Sequence, residues 1–272
     1  MKNYIILFGQ FLINLLIALR TTYWNLIGSK LTKIITVRLS KEDKLRIHSY
    51  GDIARSLYSK VPLVWLNRGF EYRTLAKIKE NVKLGDTVFD IGANIGMYSI
   101  ILSKLVGKEG KVYSFEPDPQ TAYFLKKNLK LNGCDNVIVS QIALSDENGK
   151  VFLKKPEGAG DAFNFISGDK PNTPSDNSVD AVKVDDFINL YKIEKLNFVK
   201  IDIEGAELLC MKGGTEVMLA KLKPIIVTEV FEPYCDRFGY LSFDLLKLIH
   251  SFGYTLTNYE EHQWYARANT FK

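Results

Sequence analysis

Three residues at alternate positions carry the side chains best suited to chemistry: Lys200, Asp202 and Glu204, in the run Lys200-Ile201-Asp202-Ile203-Glu204-Gly205-Ala206-Glu207. On an extended strand alternate residues share one face, so an ammonium and two carboxylates are expected to line one site. Carboxylates so placed take the proton of an acceptor hydroxyl, directly or through a bound divalent ion. Glu229, closing the run Val227-Thr228-Glu229-Val230, is a further acid expected to face the acceptor. Glu207 reads instead as a first-turn helix acid, and Lys200 also as the partner of an acid. A second constellation lies upstream in Val88-Phe89-Asp90-Ile91-Gly92-Ala93-Asn94-Ile95-Gly96, an apolar run that breaks into a glycine turn.

The turn narrows the choice of ligand. A pyrophosphate cradle needs glycines at close, fixed offsets so that the backbone can touch phosphate. Here Gly92 and Gly96 are four apart, and Asn94 stands where the middle glycine would be. Asp90 adds a carboxylate that repels phosphate and attracts a cation. Twenty residues beyond Gly96, Glu116 ends the run Lys111-Val112-Tyr113-Ser114-Phe115 and is followed by Pro117. An acid at that strand tip accepts hydrogen bonds from ribose hydroxyls. A ligand with an adenosine, a sulfonium and an ammonium meets all three conditions: S-adenosylmethionine. A nicotinamide oxidoreductase would need a tighter glycine turn and a Tyr-Lys or His catalytic unit, which the sequence lacks.

The elements that must position these residues alternate in type. Strands are expected at residues 87–91, 111–115, 136–142, 197–203 and 225–230, with helices after the first turn and at 121–131, 206–211 and 243–252. The last two strands, 254–259 and 264–271, are expected to form a hairpin. This alternation predicts an α/β fold with a doubly wound, mostly parallel seven-stranded sheet covered on both faces. Ligands of such sheets bind at the carboxyl ends of the strands, where strand order reverses. Residues 144–195 interrupt the pattern with short strands at 150–154, 163–166 and 181–184, a β-rich insertion expected to wall or cover the site. Of the three histidines, His48, His250 and His262, none has ligand spacing to another, and His262 in the hairpin turn is the one placed to approach the site.

The front of the chain has a different character. Residues 1–80 hold 14 Lys+Arg against 5 Asp+Glu, whereas the remainder holds 22 against 26. Residues 4–19 are apolar apart from Gly9, Gln10 and Asn14, too short for a span of about 20 residues. Asn3, Gln10, Asn14 and Thr21 fall on one narrow helical stripe. A helix and basic linker over residues 1–45 are therefore expected to lie in the plane of an anionic membrane surface, or else to pack on the body or on a second subunit. Residues 46–82 read as a helical cap, and residues 83–272 as the body. Three cysteines without CxxC spacing, and no glycosylation sequon, fit a reducing, cytoplasmic location with peripheral membrane contact. The body has no basic stripe for nucleic acid.

The ordered set Phe89 to Gly96, Phe115-Glu116-Pro117, Ala143-Leu144-Ser145-Asp146 and Lys200 to Glu207 closely resembles the FkbM family of S-adenosylmethionine-dependent methyltransferases. The resemblance covers about residues 50–272, and the D-x-E-G-A-E element is its most specific part. It implies a class I, Rossmann-like methyltransferase fold and O-methylation of a hydroxyl, commonly on sugars of glycans, glycolipids or natural products such as polyketides. Asp90, Gly92, Asn94, Gly96, Tyr98, Glu116, Pro117, Ala143 and Asp146 are then expected at the cofactor. Lys200, Asp202, Glu204 and Glu229 are expected at the acceptor. A divalent metal is compatible with Asp202 and Glu204 but not required. Residues 1–45 lie outside the shared pattern.

Overall fold

The alternation of apolar strands with amphipathic helices folds as an open sheet between two helical layers. The computed structural model describes residues 33–38, 44–49, 72–154, 165–167 and 178–269. In chain order the elements are β1 (Lys33–Arg38), β2 (Lys44–Ser49), α1 (Tyr72–Asn81), β3 (Thr87–Ile91), α2 (Met97–Val106), β4 (Lys111–Phe115) and α3 (Pro119–Leu131). Then come β5 (Val137–Ser140), β6 (Ala143–Ser145), β7 (Gly149–Lys154), β8 (Phe165–Ser167), β9 (Ser178–Lys183), α4 (Val184–Leu190), β10 (Phe198–Ile201) and α5 (Glu207–Lys212). A π-helical segment (Thr215–Leu222) leads to β11 (Ile225–Glu229), α6 (Glu232–Cys235), α7 (Ser242–Ser251), β12 (Tyr254–Glu260) and β13 (Gln263–Ala268).

The main sheet has the order β12-β13-β11-β10-β3-β4-β5. The pairs β10/β11, β10/β3, β3/β4 and β4/β5 are parallel, and β13 runs against both of its neighbours. The chain starts at β3 in the middle, builds outwards to β5, and returns to lay β10 on the other side of β3. Strand order therefore reverses between β3 and β10, the position at which such sheets open a ligand crevice.

The central strands are apolar throughout because both faces are covered. On one face Val88, Val112, Phe198 and Val227 pack against α1, α2 and α3. On the other, Phe89, Phe115, Val199 and Ile226 meet Phe187, Leu208 and Met218. Helix α3 starts where Asp118 accepts the Thr121 N–H at 2.7 Å with Pro119 just inside, a side-chain cap on an otherwise orphaned donor.

A second sheet, β6-β9-β7-β8, is the β-rich insertion. Strand 149–154 covers the first expected strand, the second is described as Phe165–Ser167, and the third runs earlier, over 178–183, with residue 184 opening helix α4 instead. The loops expected between these strands, 156–160 and 168–178, lie outside the described residues except for Ser178, which opens β9.

The front of the chain brings a correction. Where a basic linker to residue 45 and a helical cap from residue 46 are expected, β1 and β2 form an antiparallel hairpin, Lys33 opposite Ser49 and Arg38 opposite Lys44. The alternation Lys44-Leu45-Arg46-Ile47 explains it: Leu45 and Ile47 are buried while Arg46 is exposed, a period of two and not of 3.6. Asn128 on α3 and Asn132 at its C-cap bind the backbone of His48 and Arg46, docking the hairpin on the body. The cap's second expected helix is present as α1. Residues 50–71 of the cap and the expected helix over residues 4–19 lie outside the described residues. Among the described residues no helix is long and apolar enough to cross a membrane.

Candidate active site

The crevice begins with the turn after β3. Gly92 and Ala93 both donate to the Phe115 carbonyl, at 3.1 and 2.9 Å, which folds the turn back over the tip of β4. Gly92 has φ +77, and a Cβ there would sit 1.9 Å from the Asp202 carbonyl oxygen. Glycine is needed at this point because the turn touches the backbone of β10's extension. Asn94 adopts the left-handed region (φ 51) and its N–H donates to Glu116 Oε2 at 2.9 Å. The other Glu116 oxygen accepts the Asp118 N–H at 3.0 Å. Glu116 is 8% exposed, and burial pushes its carboxyl up to about 7 against the pull of those two donors.

Behind the turn a polar row crosses the sheet. Register places Ser114, Asp90 and Lys200 side by side on β4, β3 and β10. The Ser114 hydroxyl donates to Ser99 on α2 at 2.9 Å, and Ser99 donates to Asp90 Oδ2 at 2.6 Å. Asp90 is wholly buried; its Oδ1 has no hydrogen-bond donor among the described residues and lies 4.0 Å from Lys200 Nζ. Burial raises its pKa, with Lys200 and Ser99 opposing. Lys200 Nζ lies 3.1 Å from Asp202 Oδ2 and 4.7 Å from the centroid of the Tyr98 ring.

Above this row four carboxyls gather at the ends of β10 and β11. The strand ends at Ile201, so pleat alternation aligns Lys200 with Asp202 but not with Glu204. Glu204 is presented by a left-handed turn (φ 58) followed by Gly205 (φ 109). A non-glycine residue held there stores about 1–3 kcal/mol of strain. The turn is fixed from behind: a Cβ on Gly205 would meet the Tyr234 carbonyl at 2.3 Å, and Tyr240 donates to the Gly205 carbonyl at 2.8 Å. Burial and the Asp202 charge push Glu204 up to about 7, while a hydrogen bond from Tyr234 and the charges of Arg237 and Lys200 pull it down. Glu229 is pushed to about 8 by burial and by Asp202, Glu204 and Glu207. Burial, with Glu204 next, holds the Tyr234 hydroxyl up at about 12, so it stays a donor. Glu207 is buried and accepts the Ile203 N–H at 2.9 Å, a local structural acid as its helix-start position predicts.

The structure thus brings Gly92, Asn94 and Glu116 to one side of the crevice and Asp202, Glu204 and Glu229 to the other. Asp90 and Tyr98 sit beneath it. Both side chains are buried against Lys200, whose Nζ lies 4.0 Å from Asp90 Oδ1 and 4.7 Å from the Tyr98 ring centroid. Gly96 starts α2 at φ 93, Pro117 follows Glu116, and Asp146 accepts from Ser145 at 3.1 Å beside the Gly213 backbone. Ala143 lies on the second sheet, in a small core with Ala206 behind the Glu204 turn. Ser99, Ser114 and Tyr234 are additional members. Only Ser99 and Ser114 carry a sequence signal, as small polar residues interrupting apolar runs.

The rim suits a cation. Glu116, Asp202, Glu204 and Glu229 face the crevice from its walls, and Lys200 is engaged by acids. A sulfonium with an ammonium fits this field, whereas a pyrophosphate would meet repulsion. Among the described residues no group of three or more His, Cys, Asp or Glu side chains is disposed to hold a metal ion.

Comparison with known proteins agrees with this chemistry. The Methyltransferase FkbM domain family matches residues 90–256. The hexuronic acid methyltransferase AglP of Haloferax volcanii is 26% identical over 170 residues, 62% of this chain and 67% of that protein. The 2-O-methyltransferase NoeI of Sinorhizobium fredii is 26% identical over 144 residues, 48% of this chain and 58% of its own length. A solved methyltransferase from Aquifex aeolicus aligns over 72% of this chain and 87% of its own at 18% identity, with a TM-score of 0.41.

Proposed function

This chain belongs to the FkbM methyltransferase family, and from that premise we propose that it methylates a hydroxyl oxygen of a sugar, in a glycan or glycolipid. The observation that carries the reading is the facing of two walls across the switch point: the Gly92–Glu116 side built for a cationic nucleoside, the Asp202–Glu204–Glu229 side built for a proton. Two distant relatives named for sugar-acid methylation and for 2-O-methylation support the acceptor class.

S-adenosylmethionine, when bound, supplies an electrophilic methyl on a sulfonium. Glu116 would hold the ribose hydroxyls, and the turn from Gly92 to Gly96 would hold the rest of the nucleoside side. A sugar hydroxyl is a very weak acid, so its proton must leave as the new C–O bond forms. Of the two carboxylates in the run expected to take it, Asp202 is engaged by Lys200 at 3.1 Å. Glu204, lifted to about 7, is better matched to neutral pH, where a general base works best. In this reading Glu204 takes the proton, Asp202 orients the hydroxyl, and Lys200 holds Asp202 in position at 3.1 Å. Glu229 adds to the field and holds a neighbouring hydroxyl. Such proton transfer is worth about 10²–10⁴-fold in rate.

The test is methyl transfer from isotopically labelled S-adenosylmethionine to a mixed panel of oligosaccharides, glycolipids and polyketide alcohols, read by mass spectrometry. Label on a sugar oxygen supports the reading. Label confined to polyketide alcohols moves the acceptor to natural products. Residues 1–45 enter as a proposed contact with anionic membrane, suited to a lipid-linked acceptor. Liposome sedimentation of the full chain and of a form lacking residues 1–19 tests that contact.

A further inference from the structure

The site described so far accounts for one hydroxyl, yet a separate groove lies just past the end of β11. Its volume is about 490 Å³, within the range of about 300–1,000 Å³ that small-molecule sites occupy. Val230, next to Glu229, donates to the His262 carbonyl at 2.7 Å and so pins the β12–β13 turn against the strand end. Phe231 follows, with ring centroids 4.4 Å from His262 and 4.7 Å from Tyr234. Since Tyr234 also hydrogen-bonds Glu204, the groove and the acid cluster are the two sides of one aromatic partition. The groove therefore lies beside the acceptor side of the crevice, with Tyr234 between them.

Its walls mix flat faces with hydrogen-bonding edges. Phe231, His262 and Trp264 offer rings, and Glu232, Asn258 and Glu261 offer oxygens. Sugars present the same pairing: a C–H face that lies on an aromatic ring and a hydroxyl edge that donates to carboxylates. The charge of the lining selects among sugars. It holds two carboxylates, and His262, 3.9 Å from Glu261, is the one basic side chain among its described residues. The adjoining crevice adds Asp202, Glu204 and Glu229. A uronic acid carboxylate placed here would meet the like charges of Glu232 and Glu261, and an ammonium would be drawn to them.

Resting on the sugar reading above, we propose that this groove seats the sugar ring next to the one being methylated, and that this ring is neutral or amino-bearing, not a uronic acid. Specificity of this kind comes as much from repulsion of the wrong partner as from attraction of the right one.

A glycan array probed with the full-length protein and saturating S-adenosylhomocysteine tests it, repeated with Trp264→Ala and with Glu261→Lys. Glu261 is highly exposed, so the second variant keeps the fold even where the first loses stability, and melting curves check both. The expected bound set consists of neutral and amino sugars, with uronic acid glycans at least about tenfold weaker, roughly the discrimination of one mispaired charge. Trp264→Ala should lower binding by about tenfold or more, and Glu261→Lys should narrow the gap against uronic glycans. A bound set led by uronic acids overturns the inference. So does a bound set that neither variant alters, although either result leaves the sugar reading standing. Binding to no glycan at all overturns the sugar reading and this inference with it.

Discussion

A Cβ placed on Gly92 would lie 1.9 Å from the carbonyl oxygen of Asp202. The donor-side turn and the acceptor-side acid are thus in direct backbone contact, and one cannot move without the other. Gly92→Ala combines a left-handed backbone with an overlap that only main-chain movement relieves. It should cost at least about 2 kcal/mol of stability. Urea unfolding of the variant checks this, and an unchanged midpoint would show that the contact is not tight in solution.

Glu116 is bound by the N–H groups of Asn94 and Asp118 and stands at the tip of β4. Glu116→Ala removes the expected ribose acceptor and loosens the turn. Calorimetry should show S-adenosylhomocysteine binding weakened by about 1.5–3 kcal/mol, the scale of charge-assisted hydrogen bonds. Retained affinity would take Glu116 out of the nucleoside site.

The buried acids also set how stability responds to pH. Glu116, Glu204 and Glu207 are raised from 4.5 to about 7, and Glu229 to about 8. Between about pH 4.5 and 8 the folded chain therefore holds more protons than the unfolded chain, so its stability falls as pH rises. Their contribution is fully present below about 4.5 and lost by about 8. Scanning calorimetry of the ligand-free protein should show Tm declining from pH 5 to 8, and Glu229→Gln should flatten the decline. A Tm that climbs over this range would mean that the carboxyls are better solvated than the structure shows.

The same groups shape the rate. With Glu204 as base, kcat/KM should rise with pH through a midpoint near 7 and then level off. The Asp202 charge is one cause of that raised midpoint, so Asp202→Asn should shift the acid limb to lower pH while lowering the plateau. If the limb stays in place in Asp202→Asn, the two carboxyls do not interact as described.

How far these features could be read in the sequence depends on how local their causes are. The β3 turn, the acid at the tip of β4 and the Lys200–Asp202 pair follow from spacing along one strand and its exit. Glu204 was expected on the face of Lys200, but the strand stops at Ile201 and a left-handed turn presents it instead. The row behind Asp90 is not legible in the same way, since Ser99, which donates to it at 2.6 Å, comes from the next helix. Tyr234 could not be found at all, since only packing of α6 against Gly205 brings it to Glu204. The β1–β2 hairpin is masked in the sequence by its many lysines and arginines, although Leu45 and Ile47 keep a period of two about the exposed Arg46.

The central claim is that the acids at the end of β10 act on the acceptor and not on the methyl donor. Glu204→Gln keeps the shape and the Tyr234 contact but cannot take a proton. The decisive measurement pairs S-adenosylhomocysteine affinity by calorimetry with the methyl-transfer rate to the glycan acceptor in that one variant. The account predicts affinity within a few fold of wild type and a rate lower by about 10²–10⁴-fold. Turnover that survives while donor affinity collapses would contradict it and place Glu204 in the cofactor site.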